Sequence, residues 1–138
     1  MGNAFRTSRR VEFRDTDAAG IAHFSVFFVW MEQAEHAALR SIEMSVMPKH
    51  EENAVSWPRI SASCDYRNPV RFEELIDIEV TVTKLGKRSV TYDFQFLCND
   101  RKIASGQITT VCCRQEDGHW SSTEIPTKVR DKLEGLAT

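Results

Sequence analysis

The sequence predicts an α+β fold in which an antiparallel five-stranded sheet wraps around one long central helix. Apolar residues recur at steps of three and four over residues 25–42, as they do on one face of a helix. One strand-like stretch precedes this segment and four follow it, and two of the four alternate strictly between apolar and polar residues. With 138 residues, the chain is expected to form a single domain over 1–138.

The elements are predicted in the following order. Residues 8–14 alternate weakly and predict a first strand, which ends in a loop of turn-forming residues at 15–20. The helix follows at 25–42, and its apolar stripe leaves Glu32, Gln33, Glu35 and Arg40 on other positions. Residues 47–53 are polar, contain Pro48 and predict a loop. The four later strands are predicted at 60–66, 75–84, 89–97 and 103–114, and a short closing helix at 126–136.

The clearest alternation lies in the second and third of these four strands. Apolar residues occupy every second position, at 76, 78, 80 and 82 and again at 90, 92, 94 and 96. This period of two predicts a sheet with one buried face. Residues 85–88 and 99–101 are short, hairpin-like connections. Consecutive pairing of the strands in a meander is therefore expected.

Composition excludes several classes of protein. Lys and Arg number 18 against 20 Asp and Glu, giving a formal net charge of −2, which argues against a nucleic-acid or membrane-surface partner. No apolar run approaches the ~20 residues that span a bilayer, and no apolar stretch of a secretory signal follows the first ten residues. The four cysteines form no C-x-x-C pair, so we expect no metal site, reduced thiols and a cytoplasmic location.

Two motifs resemble those of a known enzyme family. Residues 11–32 contain a strand, then D-x-D-x-x-G at 15–20, then the aromatic-rich start of the helix; residues 66–71 read Y-x-x-P-x-R. In order and spacing over residues 8–115, the chain resembles the hotdog-fold acyl-CoA thioesterases of the 4-hydroxybenzoyl-CoA thioesterase-like group. The resemblance implies the hotdog fold and hydrolysis of a small acyl- or aryl-CoA, with no cofactor beyond the CoA thioester as substrate.

Asp17 is the leading candidate for the chemistry. Thioester cleavage needs a nucleophile or base beside the carbonyl and hydrogen-bond donors aimed at its oxygen. Asp17 can supply the first, either by direct attack or by activating water, and the sequence favours neither route. The alternative is that Asp17 only caps backbone N–H groups before the helix. Free N–H groups at the helix start can supply the donors, and the resemblance points to the backbone N–H of Phe24.

Other candidates surround this motif. His23 is a weaker catalytic candidate, because some relatives carry histidine one position later, where this chain has Phe24. Gly20 and Ser25 are expected to contact the substrate, Gly20 through a tight turn and Ser25 at the helix start. Lys87 and Arg88 stand where relatives carry basic residues near the nucleotide end of CoA, although a basic hairpin tip can also be merely solvated.

The sequence also bears on two alternative functions and on the assembly state of the protein. A hotdog hydratase or dehydratase would normally need a suitably placed histidine or glutamate pair, and a non-catalytic acyl-CoA binder would tolerate loss of Asp17. The retained D-x-D-x-x-G motif favours the thioesterase. A wrapped sheet leaves its edge strands unpaired, and the resemblance implies a site shared between subunits. At least a homodimer is therefore expected, and the sequence does not distinguish a dimer from a homotetramer.

Overall fold

The computed structural model describes residues 4–46 and 55–137. The predicted loop at 47–53 lies outside the described residues. The described residues form seven strands and two helices, in the order β1 (Phe5–Arg10), α1 (Val26–Ser41), β2 (Arg59–Tyr66), β3 (Leu75–Leu85), β4 (Ser89–Cys98), β5 (Arg101–Val111), β6 (Cys113–Glu116), β7 (His119–Ser122) and α2 (Thr127–Glu134). A short 3₁₀ turn, Phe13–Asp15, follows β1.

The main sheet has five antiparallel strands in the order β1-β3-β4-β5-β2 and lies against α1. This architecture confirms the predicted fold class. The alternating residues of β3 and β4 are buried as predicted, Ile78 and Phe96 fully so. On the opposite side of this core, Phe27, Trp30 and Met31 of α1 are buried. Burial of these apolar faces is the main force that holds helix and sheet together.

The predicted consecutive meander is wrong for β2. Strands β3, β4 and β5 do form a meander, but β2 pairs with β5 and not with β3, its successor in the chain. Residues 67–74 therefore cross from one side of the sheet to the other. Strands β1 and β2 are left as the two edges. Seven of the eight residues of β2 are exposed in the single chain.

Two predicted strand boundaries are also wrong. The first strand spans Phe5–Arg10 and not 8–14, because the chain turns after Val11 into the 3₁₀ turn that Asp15 closes. The predicted strand at 103–114 is broken at Cys112 into β5 and β6. Cys112 donates its N–H to the Arg88 carbonyl at 2.7 Å, outside the main ladder. Strand β6 then pairs with β7 in a separate two-stranded sheet.

Candidate active site

The loop before α1 folds into a tight hairpin that presents Asp17. Thr16 pairs with Ala22, and the Asp17 N–H donates to the Ile21 carbonyl at 2.9 Å. The tip closes through the Gly20 N–H, which donates to the Asp17 carbonyl at 2.9 Å. Gly20 has a φ of +81°, a left-handed conformation that glycine adopts without strain. The predicted tight turn at Gly20 is therefore present.

The two carboxylate oxygens of Asp17 differ in their surroundings. Oδ1 accepts the Ala19 N–H at 2.8 Å and lies 3.5 Å from the Ile21 nitrogen. Oδ2 accepts no hydrogen bond from any residue within 4–46 and 55–137. The side chain is half-buried and lines a cavity. One oxygen thus fixes the carboxylate in place, while the other is available to a reactant.

Asp15, the other carboxylate of the motif, turns inward. It is 6% exposed, and its Oδ2 accepts the Glu12 N–H at 2.8 Å. Its backbone carbonyl accepts the His23 N–H at 2.8 Å. These bonds tie both ends of the loop to one buried residue. Asp15 therefore orients the loop and does not line the cavity.

The start of α1 lies beside Asp17. The Phe24 N–H donates to no acceptor among the described residues, whereas its carbonyl accepts the Tyr66 hydroxyl at 2.7 Å. Partial burial raises the pKa of Tyr66 to about 12, so this hydroxyl stays protonated and can act as a donor at neutral pH. Phe24 directly precedes Ser25, the N-cap residue of α1, so its N–H lies just before the positive end of the helix dipole.

Asp17 and Phe24 line the same cavity, which has a volume of about 390 Å³. Its walls are otherwise mostly apolar and aromatic, and among the described residues Asp17 is the only carboxylate that lines it. The lining consists of Asp17, Ile21, Ala22, Phe24, Phe27 and residues 66–70. The structure thus brings together the two leading site candidates of the sequence and adds Tyr66, which belongs to the second motif.

His23 and Ser25 bond to each other at the helix start. His23 Nδ1 accepts the Ser25 N–H at 3.2 Å and lies 2.8 Å from Ser25 Oγ, while the imidazole stacks on the Phe24 ring. Both residues are exposed, and neither lines the cavity of Asp17; nor does Gly20. His23 therefore accepts a backbone N–H directly before α1. Its role in the chemistry stays a prediction.

Lys87 and Arg88 lie at the other end of the sheet within one chain. One row across the sheet contains Tyr66 of β2, Ala104 of β5 and Phe96 of β4. The β3–β4 hairpin lies at the opposite end of β4, beyond Val90. Six residue steps along the strand separate Phe96 from Val90, or about 20 Å. Arg88 Nη1 donates to the carbonyl and Oγ of Ser122, at 3.2 and 3.0 Å. The structure does not bring this pair to the Asp17 cavity of its own chain.

A larger cavity, not predicted from the sequence, opens beside the β2 edge near Arg59. It has a volume of about 590 Å³ and two tryptophan walls, Trp57 and Trp120. The lining residues are Glu32, His36, Val46, Ser56, Trp57, Pro58, Arg59 and Trp120. Trp57 precedes a proline and Trp120 lies in the short strand β7. Neither has the periodic context that would have singled it out in the sequence.

The prediction that Glu35 lies outside the buried face of α1 is wrong. The sequence places it outside the apolar stripe, yet it is fully buried in α1. Its Oε2 accepts Arg59 Nη1 at 2.8 Å, and its Oε1 accepts Nη2 of the same guanidinium. Burial raises the pKa of Glu35 above its ordinary value, and Arg59 acts in the opposite direction. The partner of Glu35, Arg59, follows 24 residues later in the chain, and local periodicity cannot reveal a pair at that separation.

Within residues 4–46 and 55–137, no group of three or more His, Cys, Asp or Glu side chains could hold a metal ion. No helix of the same ranges is long and apolar enough to cross a membrane.

Sequence comparisons identify the family. The model of the thioesterase superfamily matches residues 19–105. A 1,4-dihydroxy-2-naphthoyl-CoA hydrolase from Synechococcus sp. (strain CC9605) is 35% identical over 109 residues, which cover 75% of this chain and 73% of that protein. A putative esterase from Aquifex aeolicus is 28% identical and covers 91% of this chain and 94% of its own.

Solved structures share the fold. A 1,4-dihydroxy-2-naphthoyl-CoA thioesterase from Synechocystis superposes with a TM-score of 0.86 at 21% identity, covering 96% of this chain and 97% of that one. A gentisyl-coenzyme A thioesterase has a TM-score of 0.81 at 26% identity, with coverage of 94% and 99%. Together with the match over most of the chain, these comparisons show that the protein is a thioester hydrolase of the thioesterase superfamily.

Proposed function

We propose that the protein hydrolyses an aryl-CoA thioester to the carboxylate and free CoA, with Asp17 as nucleophile or general base. The observation that carries the proposal is the Asp17 carboxylate, held through Oδ1 and unbonded at Oδ2 within the described residues, in a cavity also lined by Phe24, whose N–H is unpaired within the same residues. Either Oδ2 attacks the carbonyl carbon to give a mixed anhydride, which water then opens, or Asp17 takes a proton from the attacking water. In the first route the C–S bond breaks as the anhydride forms, CoA leaves as the thiolate, and the water that later opens the anhydride supplies the proton that ends on the thiolate. In the second route the intermediate formed by water collapses with cleavage of the same bond, and the proton that Asp17 took passes to the thiolate.

The Phe24 N–H supports the second requirement of the reaction. A tetrahedral intermediate carries negative charge on the former carbonyl oxygen, and preorganised N–H donors stabilise that charge. The Phe24 N–H is unpaired, lies at the helix start and belongs to a residue that lines the cavity. Tyr66 fixes the same residue through its carbonyl. Because attack by Asp17 and donation by Phe24 involve only protein groups, the proposed reaction needs no cofactor.

The proposed substrate class is aromatic. Phe24, Phe27 and Tyr66 line the cavity beside Asp17 and offer faces and edges for ring packing. Three of the four relatives compared above are named for dihydroxynaphthoyl or gentisyl thioesters, both of which carry an aromatic acyl group. A small aliphatic acyl group would leave much of the aromatic wall without a contact. The protein's four cysteines, all free thiols, support a cytoplasmic setting.

The variant Asp17→Asn tests the chemistry. The amide keeps the shape of the carboxylate but is a poor nucleophile and base, so we expect benzoyl-CoA turnover to fall at least about 100-fold. The thermal midpoint should stay near that of the wild type. Asp131→Asn, on the exposed side of α2, is the matched control and should keep full activity. A folded Asp17→Asn protein with wild-type single-turnover rates would remove Asp17 from the reaction. His23→Ala should cost less.

We further propose a homodimer that forms through the β2 edges. Ile60 and Tyr66 expose apolar surface on this free edge, and unpaired strand edges favour pairing with a second copy. In an antiparallel β2–β2 pair, the Arg59 end of one copy lies beside the Tyr66 end of the other. Three strand spacings of about 4.8 Å then separate the Asp17 end of one subunit from the β3–β4 hairpin of its partner. This arrangement brings the second subunit's Lys87 and Arg88 within reach of a bound CoA.

The same pairing brings the tryptophan-lined cavity of one subunit next to the Asp17 cavity of the other. A 1:1 mixture of Asp17→Asn and Trp120→Ala subunits tests this arrangement. If the site is shared, mixed dimers have one intact site, and about one quarter of wild-type activity returns. If each chain supplies its own site, mixing restores nothing. Sedimentation of the active protein tests the dimer itself, and a fully active monomer would exclude it.

Lys87→Ala combined with Arg88→Ala tests the proposed CoA contacts. The double variant should raise KM for the full aryl-CoA, because phosphate contacts far from the carbonyl contribute to binding and not to the chemical step. KM for a truncated thioester that lacks the nucleotide should change little. Equal effects on both substrates would contradict the assignment.

A further inference from the structure

A separate polar cavity lies between the outer edge strand β1 and helix α1. Its volume is about 290 Å³. The lining residues are Thr7, Ser8, Arg9, Gln33, Ala34, His36, Ala37 and Arg40. None of them lines the cavity of Asp17, and none is acidic. The proposed thioesterase chemistry makes no use of this part of the molecule.

Two guanidinium groups at this cavity lack a partner. Within residues 4–46 and 55–137, neither Arg9 nor Arg40 forms an ion pair or a side-chain hydrogen bond. The neighbouring arginines of β1 are both engaged: Arg6 Nη2 donates to Glu79 Oε1 at 2.8 Å, and Arg10 Nη1 donates to the Glu73 carbonyl at 2.8 Å. The cavity therefore combines two positive charges with no compensating carboxylate.

Three buried polar atoms at the cavity, Arg9 Nε, Gln33 Oε1 and His36 Nε2, also lack hydrogen bonds within the described residues. Arg9 Nε is a donor and Gln33 Oε1 is an acceptor, and both are buried without a partner. Leaving such atoms unpaired is costly, because each loses its hydrogen bonds to water and gains none in return. An occupant that accepts from Arg9 Nε and donates to Gln33 Oε1 would satisfy these two atoms. Arginine is also the side chain whose planar fork best fits a tetrahedral oxyanion.

From these observations we infer that the cavity between β1 and α1 binds a phosphate group through Arg9 and Arg40, with Gln33 accepting its proton. A phosphate group that carries one proton offers both acceptor oxygens and an O–H donor, which matches the unpaired atoms. A carboxylate would satisfy the arginines but would leave Gln33 Oε1 unpaired. Since His36 lines both this cavity and the tryptophan-lined one, an occupant here contacts a residue of the neighbouring cavity.

Binding of inorganic phosphate at constant ionic strength tests the inference without reference to activity. Isothermal titration calorimetry of the intact protein should detect saturable binding. Arg9→Gln and Arg40→Gln should each weaken it by about tenfold or more, because each removes a charge-assisted contact. Arg6→Gln is the matched control, since it removes the same charge from the opposite face of β1 and should leave the affinity unchanged. Thermal midpoints of the three variants without phosphate establish that they fold.

Two results of these titrations would overturn the inference. Absence of saturable binding in the folded wild-type protein would overturn the inference, as would equal weakening in Arg6→Gln, which would indicate only general attraction to a positive surface. Gln33→Leu should also weaken binding, because it removes the proton acceptor; an unchanged affinity would overturn the role of Gln33. Competition by adenosine 3′,5′-bisphosphate but not by ADP would identify the nucleotide end of CoA as the source of the phosphate group. Competition by neither would identify free phosphate.

Discussion

Removal of the Arg59 guanidinium should destabilise the protein in a pH-dependent manner. Arg59, at the start of β2, makes two hydrogen bonds to Glu35, which is fully buried in α1. In Arg59→Met the stem of the side chain remains, but Glu35 is left buried and unpaired. Breaking a buried ion pair typically costs 3–5 kcal/mol. Because the Arg59 side chain is 30% exposed, we expect about 3 kcal/mol at pH 7.5, the lower end of that range.

The pH dependence follows from the direction of the Glu35 shift. Burial raises the pKa of Glu35 above its ordinary value of 4.5, so the folded state holds this proton more tightly than the unfolded state. Stability from such a group is fully present below the unfolded pKa and is lost as the pH rises through the folded pKa. Arg59 opposes the shift. Without it, the pKa rises further, and the cost of the substitution should grow from pH 4.5 to pH 7.5.

Urea denaturation at fixed protein concentration, at pH 4.5 and 7.5, measures this effect. Glu32→Gln is the control, because Glu32 is exposed and lies 3.7 Å from Arg59, so its loss should cost less than about 1 kcal/mol. The double variant Glu35→Met with Arg59→Met should recover most of the stability, since two apolar groups replace the pair. A cost for Arg59→Met below 1 kcal/mol at pH 7.5, or one equal at the two pH values, would refute the reasoning.

Three further predictions concern the core and the thiols. Gly106→Ala should cost about 1–3 kcal/mol in urea denaturation, because the added Cβ would overlap Met31 Sδ and lie 3.1 Å from the Ser63 carbonyl. Tyr66→Phe should cost about 1 kcal/mol by the same measurement, because it removes the hydroxyl that donates to Phe24. Burial raises the pKa of Cys112 to about 11, so mass spectrometry should find this thiol unalkylated by iodoacetamide at pH 8 until the protein unfolds.

The sequence predicts the elements of this fold better than their partners. Helix α1 was predicted at 25–42 and spans Val26–Ser41, because its apolar spacing is long and regular. The alternation in β3 and β4 likewise predicts which face is buried. Such local patterns do not specify which strands pair. The pairing of β2 with β5 depends on the crossing of residues 67–74, and nothing in the alternation of β2 distinguishes β5 from β3.

Within the candidate site, too, a local motif predicts some residues, and only the fold brings the others together. A motif of consecutive residues predicts Asp17, and the family resemblance of that motif points to Phe24; both residues line one cavity. Tyr66 lies 42 residues from Phe24, and only the fold brings its hydroxyl to the Phe24 carbonyl. Glu35 and Arg59 are a second such pair, since a buried charge can be recognised only together with its partner. For Lys87 and Arg88, the predicted role requires a second subunit, because within one chain they lie at the far end of the sheet.

The backbone of the D-x-D-x-x-G motif explains why its two aspartates are not interchangeable. The 3₁₀ turn Phe13–Asp15 directs the first carboxylate inward, where it accepts the Glu12 N–H in a buried position. The hairpin from Thr16 to Ala22 then directs the second toward the cavity, with only Oδ1 bonded. Asp15 could reach the cavity only by giving up the bond that closes the turn, and the loop presenting Asp17 would then lose its support. Asp15 therefore cannot replace a missing Asp17, although only one residue separates them.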